Sequence, residues 1–256
     1  MLIALSPAKR LDFTDPDPAL PASERRFVED TASLAKTARR QTRADLRRLM
    51  GISDDLAKLN VERFKAFDAE STEGVQAAFA FAGDVYEGLR ARELDAAALA
   101  WAQDHLRILS GLYGVLRPLD RIQPYRLEMG TRLKTRRGAN LYDFWGDRLS
   151  KQLNADAEGQ ADPTLVNLAS QEYFGAVDAR ALKLPVITPI FREEKNGETR
   201  VISFFAKKAR GAMARFAIDE RLERAEDLKA FDRDGYRFDP AASSDVEWIF
   251  IRSGNS

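Results

Sequence analysis

Four short apolar runs constrain this chain more than any other feature: "LIAL" at 2–5, "TLVNLAS" at 164–170, "LPVITPIFREE" at 184–194 and "VEWIFIR" at 246–252. Each is short and bounded by turn or polar residues, so each reads as a strand. "LIAL" reads as a buried first strand and "TLVNLAS" as a short buried one entered after Pro163. Asn196-Gly197, between "LPVITPIFREE" and "ETRVISFF", is the strongest hairpin signal in the chain. "YRFD" adds a late strand.

Helical periodicity fills most of the remainder. Ser23 closes the Pro/Asp-rich loop "DFTDPDPALPAS" and is a plausible N-cap for a helix through about Arg40. Residues 43–67 read as two short helices around "MGIS", followed by helices near 74–82, 84–91 and 93–105. Apolar residues at 141, 144, 145, 149 and 153 predict another helix. A further helix starts near Phe205, and a short one spans about 225–231. The expectation is a mixed α/β fold, a single compact domain over 1–256 with a mixed sheet and surrounding helices. Residues 40–105 form a possible helical subregion, and neither repeats nor a linker interrupt the chain.

Composition narrows the chemistry. With 256 residues, 45% hydrophobic and 31% charged, the chain can bury a substantial core. No apolar run nears the ~20 residues that span a bilayer, and the first is too short for a signal peptide. A cytoplasmic protein with no membrane partner is expected. The absence of cysteine excludes disulfides, thiolate catalysis and thiol-based peroxide sensing. The one histidine, His105, reads as packed or solvated, so no His-rich metal site, metal ligand set or cofactor is predicted.

The net charge is zero, with 40 basic and 40 acidic residues, yet charge is segregated. Residues 107–137 carry seven Arg and one Lys against Asp120 and Glu128, a net +6. Residues 36–48 reach +5, as do residues 200–215, whereas 226–247 carry −4. If the basic segments meet, they form a cleft that concentrates anions. Prolines and glycines in 107–137 suit a cleft wall, on which Tyr113 and Tyr125 could pack beneath arginines or stack on bases. In the helix from Phe205, Gly211 lies between Lys208 and Arg215; close approach of a backbone or of a phosphate would each explain it.

"LMGISDDLAKLN" resembles the helix-hairpin-helix motif of sequence-tolerant DNA-binding proteins. Gly51 and Ile52 would turn the chain, and Ala57 would let the helices pack closely. Ser53 stands where that motif usually has a second glycine, and Asp54 and Asp55 open the second helix. The predicted DNA-binding set is Arg47, Arg48, Gly51, Ile52, Ser53 and Lys58, with Arg117, Arg121, Arg126, Lys207, Lys208, Arg210 and Arg215 along the cleft. The partner would be double-stranded DNA, read without sequence preference.

An alternative assigns catalysis to polar residues at strand ends. Ser6 and Lys9 follow the first strand; Asn167, Ser170, Glu172 and Tyr173 end a later one. These types could move protons or stabilise an oxyanion on a nucleotide or nucleobase. No P-loop, G-x-S-x-G or H-E-x-x-H is present, so no catalytic residue is assigned outright. Iron binding by carboxylates is a third reading, weakened by the lack of a His-containing cluster.

"SPAK", "SGLYGVLRPLD", "QPYRLEMG", "LYDFWGD", "VNLASQEYF" and "KKARGAMAR" together resemble the YaaA family of bacterial peroxide-stress proteins. The resemblance runs from Leu2 to about Arg252, with Arg10 departing from the threonine common after "SPAK". It implies a cytoplasmic protein that limits free iron and oxidative DNA damage. It also implies an α/β fold with a positive cleft, a helix-hairpin-helix element and DNA binding.

Overall fold

The computed structural model describes residues 1–14 and 20–253. Part of the expected loop "DFTDPDPALPAS" therefore lies outside the described residues. In chain order, β1 (Leu2–Leu5) and β2 (Arg10–Leu11) precede α1 (Val28–Arg39), α2 (Arg43–Met50) and α3 (Asp54–Ala66). Next come β3 (Val75–Gln76), α4 (Ala77–Ala80), β4 (Phe81–Ala82), α5 (Asp84–Leu89) and α6 (Ala96–His105). β5 (Leu106–Ser110), β6 (Gly114–Leu116) and β7 (Arg121–Ile122) lead to α7 (Leu141–Trp145) and α8 (Arg148–Asp156). β8 (Leu165–Leu168), α9 (Gln171–Phe174), β9 (Val186–Lys195), β10 (Glu198–Arg200), α10 (Ser203–Asp219), β11 (Tyr236–Phe238) and β12 (Glu247–Ser253) complete the chain.

The main sheet runs β11-β12-β9-β8-β1-β5-β6, with β10 paired to β9. Its five central strands are parallel, and the pairs β5–β6, β11–β12 and β9–β10 are antiparallel. A parallel centre covered on both faces requires unbroken apolar strands. Every residue of β1 and β8 is accordingly buried. The mixed α/β architecture is as the strand runs predict, and the Asn196-Gly197 turn joins β9 to β10 with both residues at positive φ.

Several local expectations are corrected. Ser23 does not cap α1: its hydroxyl donates to Asp120 Oδ1 at 2.6 Å and accepts from Gln103, so α1 starts at Val28. The predicted helix at 74–82 becomes two short strands around α4, because Val75 pairs with Ile122 and Arg10 with Ala82. The predicted 93–105 helix begins only at Ala96, capped by Asp95. The 141–153 helix is two helices, broken where Gly146 takes φ +51°. "ETRVISFF" turns helical at Ser203 after only three strand residues.

Candidate nucleic-acid interface

Two of the three basic segments meet. The second half of α1 and the 134–136 loop enclose a cleft of about 520 Å³ lined by Lys36, Arg40, Lys134 and Arg136, with no acidic residue on its wall among the described residues. Lys36 and Arg40 sit in or beside the last turn of α1, where cations also complement the helix dipole. All four side chains belong to exposed residues. A second depression shares Ala32 and Lys36 with this cleft and adds Arg39 and Lys65. It shares Ala69 and Glu70 with a third cavity, so the groove continues along α1.

The cations named from sequence are spread more widely. Arg117 pairs with the buried Asp120, also donating to Glu24 O. Arg121 lines the third cavity, beside Arg25. Arg126 pairs with Glu128 and lies close to Arg63, whose pKa is held down by burial and by the Arg126 charge. Residues 200–215 are absent from the cleft wall: Lys207 faces Asp84, and Arg215 pairs with Asp219 and Glu93. Lys208 and Arg210 are half-buried on α10, and burial lowers the Arg210 pKa. Tyr113 and Tyr125 are core residues; Arg25 lies over the Tyr113 ring at 5.6 Å.

The segment around Gly51 forms a helical hairpin. Gly51 ends α2 in the left-handed conformation (φ +60°, ψ 39°), and Ile52 is buried beneath the turn. Ser53 caps α3, accepting from Leu56 N at 3.4 Å, so serine performs the capping that a second glycine would leave to water. Ala57, fully buried, lets the helices approach. Arg43 is paired with Asp54 and Arg48 with Asp45, while Arg47 and Lys58 stand exposed.

Of the strand-end residues, Ser6 and Ser170 come into contact. The chain leaves β1 toward β5 and leaves β8 toward β9, on opposite sides, so the loops after β1 and β8 diverge over adjacent carboxyl ends. Such switch points form ligand crevices in open α/β sheets. Here Ser170 N donates to Ser6 Oγ at 2.8 Å, and the two hydroxyls lie 3.3 Å apart. Tyr86 donates to Ser6 O. Lys9 pairs with Glu128 at 2.8 Å, and Gly130 N donates to Glu172 at 2.9 Å. Burial raises the pKa of Tyr86 and Tyr173, keeping both phenols protonated. Asn167 is engaged elsewhere, with Ala169 N and Thr188.

His105 is packed, 6% exposed and stacked on Trp101 at 4.0 Å, with Nδ1 2.8 Å from Met1 O. Among the described residues no His, Cys, Asp and Glu side chains come together in a group that could hold a metal ion. No described helix is long and apolar enough to cross a membrane.

Sequence reasoning did not single out Lys134 and Arg136, nor Arg25 and Thr72 of the third cavity. The charge runs carried the signal for the first pair. Which cations stay unpaired depends on carboxylates arriving from elsewhere, as Asp30 does for Arg137.

Residues 1–242 match the family described as peroxide stress protein YaaA. A UPF0246 protein of Caulobacter vibrioides is 67% identical over 252 residues, covering 98% of this chain and 99% of the relative. One from Phenylobacterium zucineum is 66% identical, covering 98% of this chain and 95% of its own. One from Ruegeria pomeroyi is 57% identical over 254 residues, covering 98% of each.

Proposed function

Since the chain belongs to the YaaA family of peroxide stress proteins, we propose that it protects the cell under peroxide stress by binding duplex DNA without sequence preference. The observation that carries this reading is the meeting of residues 36–40 and 134–136 in one cleft with four cations and, among the described residues, no acid. Phosphate neutralisation of this kind supplies affinity without reading bases. The α2–α3 hairpin supports the reading: Gly51 is exposed and a Cβ there would meet none of the described residues within 4 Å, so a phosphate can approach the N-terminus of α3, the Gly51 and Ile52 N–H groups themselves being spent on Arg47 O. Arg47 and Lys58 flank it. On this reading the bound protein shields DNA and, in the cytoplasm, also helps limit free iron, which lowers the yield of hydroxyl radical from peroxide.

The test is the salt dependence of duplex binding. Each neutralised phosphate contributes about −0.9 to the slope of log K against log salt. Changing Lys36, Arg40, Lys134 and Arg136 together to Ala should shallow the slope by roughly 3 to 4. No duplex binding by the wild type at low salt overturns the proposal.

The placement of Ser6, Lys9, Ser170, Glu172 and Tyr173 at the switch point favours a second reading, an enzyme acting on a nucleotide or nucleobase. Nucleotide soaks showing density beside Lys9 and Ser170 would support it, while unchanged peroxide protection in Lys9→Ala would count against it.

A further inference from the structure

The groove along α1 ends in a cavity of about 380 Å³ lined by residues 22–25, Val28, 69–72 and Arg121. That volume lies at the small end of ligand sites, ~300–1,000 Å³, and suits one small molecule, not a duplex. Arg25 is held rigidly: Nη1 donates to Arg121 O at 2.8 Å, and Nη2 donates to Ala69 O and Ser71 O at 2.9 and 2.8 Å. All of its partners are neutral carbonyls, so its charge is not cancelled by a carboxylate contact among the described residues.

Arg121 is less satisfied. Among the described residues its Nη1 reaches only Thr72 O, at 3.4 Å, and its Nε has no hydrogen-bond partner but is too buried for a ligand in the cavity to touch. The outer guanidinium nitrogens of Arg121 therefore keep donor capacity that the cavity can offer to an anion. With three donors of Arg25 already spent on carbonyls, the two guanidiniums offer a phosphate two positive charges and the donors that remain, not a free fork from each. The remaining wall is suited to a base: Ala22, Val28 and Ala69 offer apolar surface, while Glu24 and Glu70, both exposed, can accept from exocyclic amino groups.

We propose that this cavity holds a single nucleotide, with its phosphate on Arg25 and Arg121 and an amino-bearing base against Ala22, Val28 and Ala69. The nucleotide could be a free monophosphate or an unpaired residue displaced from a strand lying in the adjoining groove. Extruding an unpaired base is the least expensive case of base flipping.

Calorimetric titration with dCMP and dGMP, with inorganic phosphate as the comparison, tests the free form. A fluorescence titration comparing a duplex that carries one bulged cytosine with its fully paired counterpart tests the strand-borne form. If the free form is bound, a mononucleotide binds with a Kd of about 1 mM or tighter. Inorganic phosphate then binds at least tenfold more weakly, and Arg121→Gln weakens the mononucleotide at least tenfold. If the strand-borne form is bound, the bulged duplex is preferred by the wild type and the preference disappears in Arg121→Gln. Ala22→Trp, at the exposed rim, blocks the mouth and should abolish the same signal while leaving the thermal midpoint unchanged. That separates occupancy from folding should Arg121→Gln lose stability. The idea is overturned if neither mononucleotides nor the bulge give a signal, or if both variants retain it. Failure here with intact paired-duplex binding leaves the cleft proposal standing. Loss of paired-duplex binding alone leaves the mononucleotide titration valid.

Discussion

Gly88 of α5 and Gly211 of α10 face each other where the two helices cross. A Cβ on Gly211 would lie 1.7 Å from Val85 O, and one on Gly88 would lie 2.1 Å from Lys208 O. The backbones therefore touch, which decides the role of Gly211: helix packing requires it, and the lysine and arginine beside it are not its explanation. Gly211→Ala should force the helices apart and destabilise the protein by about 2–3 kcal/mol, read as a lower urea midpoint. Gly51→Ala meets no such contact and should cost only about 1–2 kcal/mol, from its left-handed backbone.

Asp156 joins Arg26 and Arg107, and the Asp156 and Arg107 side chains are only 3% and 4% exposed. Burial lowers the Arg107 pKa, and the adjacent Asp156 partly restores it. Asp156→Ala would strand a buried guanidinium. A loss of roughly 3–5 kcal/mol, measured by chemical denaturation, is the expected result. Equal stability of variant and wild type would show that the pair contributes nothing.

Burial holds the His105 pKa below its ordinary value, against smaller opposing effects of Met1 O, Glu223 and Asp104. The folded state thus binds this proton less readily than the unfolded state. Its contribution is complete above about pH 6.5 and is lost as pH falls from there. The N-terminal amine, likewise lowered by burial, loses its contribution as pH falls from near 8. His105→Gln should flatten stability between about pH 6.5 and 5 while leaving the slope nearer pH 8. Urea midpoints across that range provide the measurement.

Ser53→Gly restores the glycine common in helix-hairpin-helix turns. Glycine is tolerated at an N-cap, so the change should cost only about a few tenths of a kcal/mol. On the proposed DNA reading, duplex affinity at fixed salt should hold or rise. A tenfold fall would show that the Ser53 hydroxyl itself is needed for binding.

The parts of the fold that were legible in the sequence depend on local chemistry. "LIAL" and "TLVNL" are apolar throughout because a parallel strand covered on both faces has no polar side. Asn196-Gly197 turns because both residues tolerate positive φ. The α2–α3 hairpin could be read from a glycine followed by a capping serine, and the family resemblance from motifs spread along the chain. Where partners come from afar, local reading failed. Ser23 could cap a helix, but Asp120 and Gln103 claim its hydroxyl. Residues 74–82 have helical composition, but Ile122 and Arg10 draw their ends into ladders.

The candidate site divides along the same line. Sequence alone determined how many cations each segment carries, the absence of thiol chemistry and the presence of serines at two strand ends. Tertiary structure decided which cations remain available, because an ion pair forms only when folding brings a carboxylate within a few ångströms. Asp120, Asp84 and Asp219 thus engage Arg117, Lys207 and Arg215, while Lys36, Arg40, Lys134 and Arg136 gather in a cleft that holds no acid among the described residues. It also brought Ser6 beside Ser170, 164 residues away in sequence, because β1 and β8 are neighbours in the sheet.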